Sequence, residues 1–153
     1  MDLITLEKLR QLKYRYLRAL DLKLWDEFAD TLMPDATAKY GERLSFTGRD
    51  QIVNYMRTTV GPEIITVHQC HHPELTVDGD RATGRWALDD TVIITEHRAM
   101  LRGAAFYEDQ YVRDGEVWRI QHTGYERIYE AMISLADLPS YNLTANRWAA
   151  STP

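Results

Sequence analysis

The segment ELTVDGDRATGRWALDDTVII (Glu74–Ile94) alternates between apolar and polar residues on both sides of an Asp-Gly dipeptide. A two-residue period is typical of β-strands that are buried on one face, and Asp78-Gly79 is typical of a tight hairpin turn. Counting by twos after the turn gives a face that is apolar except for Asp90, made of Ala82, Gly84, Trp86, Leu88, Asp90, Val92 and Ile94. The segment therefore predicts a long antiparallel hairpin that covers a core.

The same period continues through the rest of the C-terminal half. Asp114-Gly115 is a second hairpin dipeptide, so strands are expected on either side of it. The predicted strands are Ile64–His71, Glu74–Asp78 continuing into Arg81–Thr95, Arg98–Arg113, and Glu116–Tyr125. Consecutive strands joined by short turns predict an antiparallel meander.

The N-terminal part has the 3.6-residue period of amphipathic helices instead. The predicted helices extend to about Leu20, over LKLWDEFADTLM (22–33) and over RDQIVNYMRTTV (49–60). Pro34 is expected to end the second helix, and ATAKY (36–40) to form a short strand. Helices followed by antiparallel strands are the α+β pattern. We therefore expect one domain over residues 1–153, in which a curved antiparallel sheet packs on the N-terminal helices and encloses a cavity.

The composition argues against several classes of protein. The formal net charge is −5 and the basic residues are scattered, so a nucleic acid is not expected as a partner. No apolar run reaches the roughly 18 to 20 residues that a membrane span needs, so no membrane association is expected. The N-terminal segment carries charges throughout, unlike a signal peptide, and the single cysteine cannot form an internal disulfide. We expect a cytoplasmic protein.

Three ionisable residues occupy positions where a charge is costly. Asp90 interrupts the apolar face of the predicted hairpin, so its carboxylate needs a partner. Asp21 follows the last apolar residues of the first helix, where a negative charge meets the negative end of the helix dipole. His68 is the best inward-pointing candidate among the clustered histidines. A carboxylate and an imidazole are the usual acid/base pair, because the carboxylate fixes the imidazole tautomer and raises its basicity.

The histidine cluster VHQCHHPE (67–74) also raises the question of a metal site. His68, Cys70 and His72 could share one face of a strand, but a nearly straight strand does not bring them together on one ion. Pro73 is expected to break the strand just beyond the histidines. The two remaining histidines fall in no motif with ligand spacing. We expect neither a metal nor another cofactor, and we expect Cys70 to pack rather than to act as a nucleophile.

The sequence resembles the SnoaL-like branch of the nuclear transport factor 2 fold, and within it the bile-acid 7α-dehydratase family. The similarity extends from about Leu6 to Glu130. It rests on Tyr-x4-Asp at Tyr16 and Asp21, H-x2-H-x-P-E from His68, ATGRW followed by Asp90, and TGY-x-R-I-Y around Arg127. The N-terminus, the loop TEHRAMLRGAA and the C-terminal tail depart from the pattern. The resemblance implies a cone-shaped α+β barrel with a cavity.

The resemblance also implies roles for individual residues. His68 would be the general base, Asp21 would raise its basicity, and Tyr16 would hydrogen-bond the substrate oxygen or the departing group. Asp90 and Arg127 would complete the polar floor of the cavity. The residues expected to line the walls are Tyr40, Trp86, Phe106 and Tyr107.

Together with these residues, the resemblance implies a cofactor-independent dehydratase that removes water from a hydroxylated steroid-like or polycyclic hydrophobic substrate, free or as a CoA thioester. Ketosteroid-type isomerisation, dehydrohalogenation and polyketide cyclisation would use the same site, and a non-catalytic binding module is a further alternative in this fold. The resemblance implies a homotrimer. The tail from about Ile133 is expected to form a lid or a subunit contact.

Overall fold

The computed structural model describes residues 2–150, in which helices pack on one curved, six-stranded sheet. The helices are α1 (Leu3–Asp21), α2 (Trp25–Asp30) and α3 (Arg49–Thr59). The strands are β1 (Leu32–Tyr40), β2 (Leu44–Thr47), β3 (Ile64–Asp78), β4 (Arg81–Ile94), β5 (Ala99–Asp114) and β6 (Val117–Ser134). They lie in the order β2-β1-β6-β5-β4-β3, so β3 is an edge strand. The α+β prediction is confirmed.

Helix α1 begins at a conventional cap and ends beside the free edge of the sheet. The Asp2 carboxylate accepts hydrogen bonds from the backbone N–H groups of Ile4 and Thr5 and so satisfies the first turn. The apolar stripe of the helix is buried and consists of Leu9, Leu12, Tyr16, Leu17 and Leu20. Because α1 packs mainly against β3, its last residue, Asp21, reaches that strand.

The predicted break at Pro73 is wrong, because β3 continues to Asp78 through a β-bulge. Residues pair regularly with β4 up to His71 and again from Glu74, with a register shift between the two. His72 has a φ of 31°, the left-handed backbone that a bulge can require. A bulge leaves its extra residues out of the ladder, so the missing N–H of proline costs no hydrogen bond there.

The second helix is shorter than predicted, because the chain enters the sheet before Pro34. The Thr31 hydroxyl donates to the Phe28 carbonyl at 2.6 Å, and Leu32 then pairs with Ile120 of β6. Pro34 falls inside β1, at the register shift between Leu32 and Thr37. The predicted strand ATAKY is part of β1, which runs parallel to β6, whereas the other pairings are antiparallel. The short strand β2, which pairs with β1, was not predicted from the sequence.

A buried ion pair crosses the core beneath the sheet. The Lys13 ammonium lies 2.7 Å from the Asp109 carboxylate, and both side chains are fully buried. Asp109 also accepts hydrogen bonds from the Tyr111 hydroxyl at 2.8 Å and the Thr123 hydroxyl at 2.7 Å. The Trp86 indole N–H donates to Tyr111 at 2.9 Å, so the pair is held in a network of hydrogen bonds. Such a network stabilises the core only while each charge keeps its partner.

Replacing Asp109 with alanine should lower the free energy of unfolding by about 3 to 5 kcal/mol, because it leaves the Lys13 cation buried and unpaired. The double variant Lys13→Met/Asp109→Leu removes both charges and should be more stable than Asp109→Ala alone. Urea denaturation followed by circular dichroism measures both. Equal losses in the two variants would contradict this account of the pair.

Candidate active site

A cavity of about 980 Å³ lies between the concave face of the sheet and the helices. One part of its wall is aliphatic and includes Leu20, Met56, Val60, Val92, Ile94 and Leu101. Another part is aromatic and consists of Tyr40, Tyr55, Tyr107 and Tyr125. The polar groups on the inner face of the sheet are Thr66, His68, Asp90, Arg127 and Glu130. An apolar space with a few convergent polar groups is the usual form of a small-molecule site.

The structure places Asp21 and His68 in contact at the edge of this cavity. The His68 Nδ1 atom lies 2.6 Å from Asp21 Oδ1. The backbone N–H of His68 donates to Oδ2 at 2.8 Å, and the Thr66 hydroxyl donates to Oδ1 at 2.9 Å. The side chains of His68 and Asp21 are only 12% and 18% exposed. The carboxylate therefore accepts three hydrogen bonds from one strand.

This arrangement determines which imidazole nitrogen is available for chemistry. An ionised carboxylate can accept hydrogen bonds but cannot donate them. The proton of the neutral His68 ring therefore lies on Nδ1, which donates to Asp21. Nε2 has no hydrogen-bond partner among residues 2–150, and the ring lines the cavity. An unprotonated nitrogen in an apolar cavity, with its tautomer fixed from behind, has the geometry of a general base.

Asp90 has the partner that its buried position requires. The Arg127 guanidinium donates to Asp90 through Nη1 at 2.5 Å and Nη2 at 3.0 Å, and Nε lies 3.3 Å from a Glu130 oxygen. Burial alone would lower the pKa of Arg127, but the hydrogen bonds and charge of Asp90 raise it above its ordinary value. Asp90 pairs across the ladder with His68, so the ion pair lies beside the Asp21–His68 pair.

Tyr16 lies behind Tyr40 and does not line the cavity. The two hydroxyl oxygens are 2.6 Å apart, and the Tyr16 side chain is fully buried. Burial raises the pKa of Tyr16 well above its ordinary value. Burial also raises the pKa of Tyr40, although the hydrogen bond with Tyr16 opposes part of this rise. Both phenols therefore keep their protons, and Tyr40 is the one that can reach a ligand. Direct contact between Tyr16 and a substrate, as the resemblance implies, does not fit this arrangement.

Two of the four expected wall residues do not line the cavity. Phe106 precedes Tyr107 in a strand, so the two side chains point to opposite faces, and Phe106 is 39% exposed on the outer face. Trp86 points inward but is fully buried in the core, where its ring meets Tyr14 of α1. Phe106 and Trp86 are therefore not among the residues that line the cavity, whereas Tyr40 and Tyr107 lie in its wall.

Several residues that line the cavity were not predicted from the sequence, among them Thr66, Tyr125 and Glu130. Thr66 lies two positions before His68, and Tyr125 two before Arg127, so the two-residue period was a usable signal for both. Glu130 faces the cavity only because β6 is irregular where it pairs with Ala104 and Ala105. A sequence pattern does not locate such a bulge.

The remaining histidine-cluster residues lie away from the cavity. His71 and His72 are exposed at the bulge, and their rings stack on each other. Within residues 2–150 no group of three or more His, Cys, Asp or Glu side chains is arranged to hold a metal ion. Cys70 is partly buried against the core.

The C-terminal tail after β6 packs on the end of the sheet. The Tyr141 hydroxyl contacts the Met100 sulfur at 3.8 Å, and the Trp148 ring lies 4.3 Å from the Lys23 ammonium. Lys23 in turn donates to the Ile64 carbonyl at 2.8 Å. The tail contributes none of the described residues that line the cavity.

Within residues 2–150, no helix combines the length and the apolar character that crossing a bilayer requires.

Comparisons with known proteins identify the family. A family model described as a SnoaL-like domain matches residues 2–124, and the chain belongs to this family. The uncharacterized protein Rv2910c of Mycobacterium tuberculosis (strain ATCC 25618 / H37Rv) is 26% identical over 115 residues, which are 74% of this chain and 78% of that protein.

Solved structures with the same fold include two whose names refer to lyases. A hexachlorocyclohexane dehydrochlorinase (LinA) of type 2 superposes with a TM-score of 0.78 at 18% identity, covering 86% of this chain and 90% of that one. A provisionally assigned scytalone dehydratase from Novosphingobium aromaticivorans superposes with a TM-score of 0.77 at 18% identity, covering 94% and 92%. The expected nuclear transport factor 2-like fold is confirmed.

The Cys70 thiol should react slowly with a thiol reagent at pH 8. Burial raises its pKa to about 12, although the positive charge of Lys13 opposes the shift, so little thiolate is present. Reaction with dithionitrobenzoate, timed in the native protein and in urea, should be at least tenfold slower in the native state. A native rate equal to that in urea would contradict the burial of this thiol.

Proposed function

We propose that this protein is a cofactor-independent dehydratase that uses His68 and Asp21 to eliminate water from a cyclic, hydrophobic, hydroxylated substrate. The observation that carries the proposal is the Asp21–His68 hydrogen bond of 2.6 Å at the wall of an apolar cavity. General acid/base catalysis needs a base whose tautomer is fixed and whose free nitrogen faces the substrate. The dehydrochlorinase and the provisionally assigned scytalone dehydratase among the structural relatives are consistent with an elimination reaction.

The proposed reaction transfers one proton from carbon to His68 and one proton to the departing hydroxide. Nε2 takes the proton from a carbon that a carbonyl or enone activates, and the C–H electron pair forms the new double bond. The bond to the hydroxyl group breaks, and the imidazolium returns a proton so that water departs. Asp21 stabilises the imidazolium between the two transfers, because its carboxylate lies against Nδ1. Substrate equals product plus water, and the imidazole is regenerated.

The Tyr40 hydroxyl is the proposed donor to the substrate oxygen on which negative charge develops. Tyr40 lines the cavity, and its hydrogen bond with Tyr16 holds the phenol in place. A donor fixed in an apolar site stabilises developing charge more strongly than water does. In this proposal Tyr16 positions Tyr40 and does not itself contact the substrate.

The Arg127–Asp90 pair supplies the second polar element of the proposed site. Its charges compensate each other, so Asp90 does not place an isolated negative charge beside the base. Nη1 and Nη2 donate to Asp90, Nε lies 3.3 Å from a Glu130 oxygen without a hydrogen bond, and the guanidinium carbon lies 4.9 Å from the centroid of the Tyr125 ring. Arg127 is therefore committed to protein acids, which favours a neutral ring system over an anion in the interior of the cavity.

A steroid-like or other polycyclic substrate, free or carrying a CoA thioester, fits the volume and the apolar wall of the cavity. The bile-acid 7α-dehydratases that the sequence resembles suggest 7α-hydroxy-3-oxo-4-ene steroids as the first compounds to test. A second candidate is dehydrohalogenation, which the likeness to the dehydrochlorinases favours because it needs the same base and another leaving group. Isomerisation, cyclisation and simple binding are the other outcomes that such a site allows.

The proposal also covers the domain organisation, the localisation and the subunit assembly of the protein. We place residues 1–153 in one cytoplasmic domain that assembles as a homotrimer through the outer face of the sheet. Exposed apolar side chains on that face, Val67, Phe106 and Tyr129, support a subunit contact there. The tail after Ile133 is proposed to contribute to the same contact rather than to form a lid, since it does not line the cavity.

Substituting His68 with alanine or Asp21 with asparagine should reduce turnover by about 10² to 10⁴-fold, because either change removes the base or its fixed tautomer. The assay incubates the purified protein with 7α-hydroxy-3-oxo-4-ene steroids, free and as CoA thioesters, and in parallel with scytalone and γ-hexachlorocyclohexane. Ultraviolet absorbance, product mass and chloride release distinguish loss of water, loss of hydrogen chloride and isomerisation.

His97→Ala is the matched control, because it also removes an imidazole but from the exposed turn between β4 and β5, away from the cavity. It should retain wild-type turnover. Turnover that survives in both His68→Ala and Asp21→Asn would refute the proposed mechanism. Binding of these compounds without any conversion would favour the binding module.

A further inference from the structure

We infer that Gly103 is a positioning residue of the proposed active site, because its missing side chain allows Arg127 on β6 to cross β5 and bind Asp90 on β4. The inference rests on the proposed function for its catalytic consequence. The structural claim, that Gly103 leaves room for Arg127 to reach Asp90 across three adjacent strands, does not depend on which reaction the site catalyses.

The register of the sheet places Gly103 directly between the two charged groups. Asp90 pairs with Gly103 across the β4–β5 ladder, and Gly103 pairs with Glu130 across the β5–β6 ladder. Arg127 pairs with Ala105, beyond the register shift between Ala104 and Ala105. The guanidinium must therefore pass over β5 to reach Asp90, and Gly103 is the residue beneath its path.

The space above Gly103 is already occupied by the ion pair. A Cβ atom built on Gly103 would lie 2.9 Å from the Arg127 Cζ atom and 3.1 Å from Asp90 Oδ1, and still closer to Arg127 Nη1. The positive-φ glycines of residues 2–150 are Gly41, Gly48, Gly79 and Gly115, so the backbone of Gly103 accepts an L-residue. The constraint at Gly103 is therefore steric and arises from the ion pair, with the guanidinium atoms closer than the carboxylate oxygen.

A methyl group at this position should separate Arg127 from Asp90. Asp90 is only 3% exposed, and the guanidinium is its hydrogen-bonding partner in the structure. A displaced guanidinium would enter the cavity and leave the carboxylate unpaired, one cross-strand neighbour from His68. The proposed elimination should then lose about 100-fold in kcat/KM, since displacements of about 1 Å near reacting groups have effects of that size.

The test compares Gly103→Ala with Gly84→Ala in the full chain. Gly84 also lies on an inward face, and a Cβ there would lie 2.8 Å from Leu75 Cδ2 and 3.0 Å from the Tyr111 ring and hydroxyl. Both variants add one methyl group to a crowded position, but only Gly103→Ala meets Arg127. Gly84→Ala therefore controls for a general loss of stability.

The first readout needs no substrate. Nitrogen-15 NMR of the Arg127 guanidinium, assigned with Arg127→Lys, should show Nη–H signals that exchange slowly in the wild type and in Gly84→Ala. These signals should be lost in Gly103→Ala. If Gly103→Ala retains them, the inference is overturned, whatever the enzyme assays show.

A second measurement covers the case in which Gly103→Ala does not fold. Arg127→Ala removes the side chain that lies closest to the new methyl group, so Gly103→Ala/Arg127→Ala should unfold at nearly the same urea concentration as Arg127→Ala alone. A double variant that unfolds at a clearly lower urea concentration than Arg127→Ala would contradict the inference.

Turnover separates this inference from the proposed function. A 100-fold lower kcat/KM in Gly103→Ala, with Gly84→Ala near the wild type, supports both. Loss of the Arg127 signals without turnover of any tested compound supports the positioning role of Gly103 and rejects the proposed reaction. Turnover in Gly103→Ala equal to that in Gly84→Ala, with the signals lost, rejects the catalytic consequence of the inference while leaving the His68 mechanism standing.

Discussion

The structure depends on one carboxylate, Asp21, which joins the first helix to the free edge of the sheet. Strand β3 is an edge strand, so the backbone N–H of His68 is available to Asp21, and the Thr66 hydroxyl and the imidazole Nδ1 donate to the same group. An acid at a helix C-terminus is unfavourable by itself. Three hydrogen bonds offset that cost, and they also fix the orientation of the imidazole. The contact that docks α1 on β3 is therefore the contact that prepares the proposed base.

The Asp90–Arg127 ion pair in the cavity also depends on a contact between neighbouring strands. A buried carboxylate at Asp90 is tolerated because Arg127 reaches it with two hydrogen bonds, and Arg127 reaches it because β5 carries no side chain at Gly103. Strands β3, β4 and β6 thus contribute one row of polar groups across an otherwise apolar surface. A neutral hydrophobic ligand would meet a free imidazole nitrogen and a phenol, whereas Asp90 and Arg127 are occupied with one another.

The parts of this arrangement that follow a local period were predictable from sequence, and the parts that depend on pairing were not. The two-residue period identified Asp90 as a buried acid in need of a partner. The 3.6-residue period placed Asp21 at the C-terminus of a helix, where a negative charge is unfavourable. The same rule, applied to neighbours, separates Phe106 from Tyr107. By contrast, the parallel pairing of β1 with β6, the bulge after His71 and the irregular register near Ala105 arise from contacts between distant segments. The path of Arg127 over Gly103 depends on that register, so no local pattern reveals it.

The most direct test of the account is the tautomer of His68 in the substrate-free protein. Long-range proton–nitrogen-15 NMR of the imidazole, recorded at a pH where the ring is neutral, distinguishes the protonated nitrogen from the free one. We expect a proton on Nδ1, hydrogen-bonded to Asp21, and a free Nε2 that faces the cavity, with the preference lost in Asp21→Asn. A proton on Nε2 in the wild type would contradict it, because the imidazole would then present a donor instead of a base to the substrate.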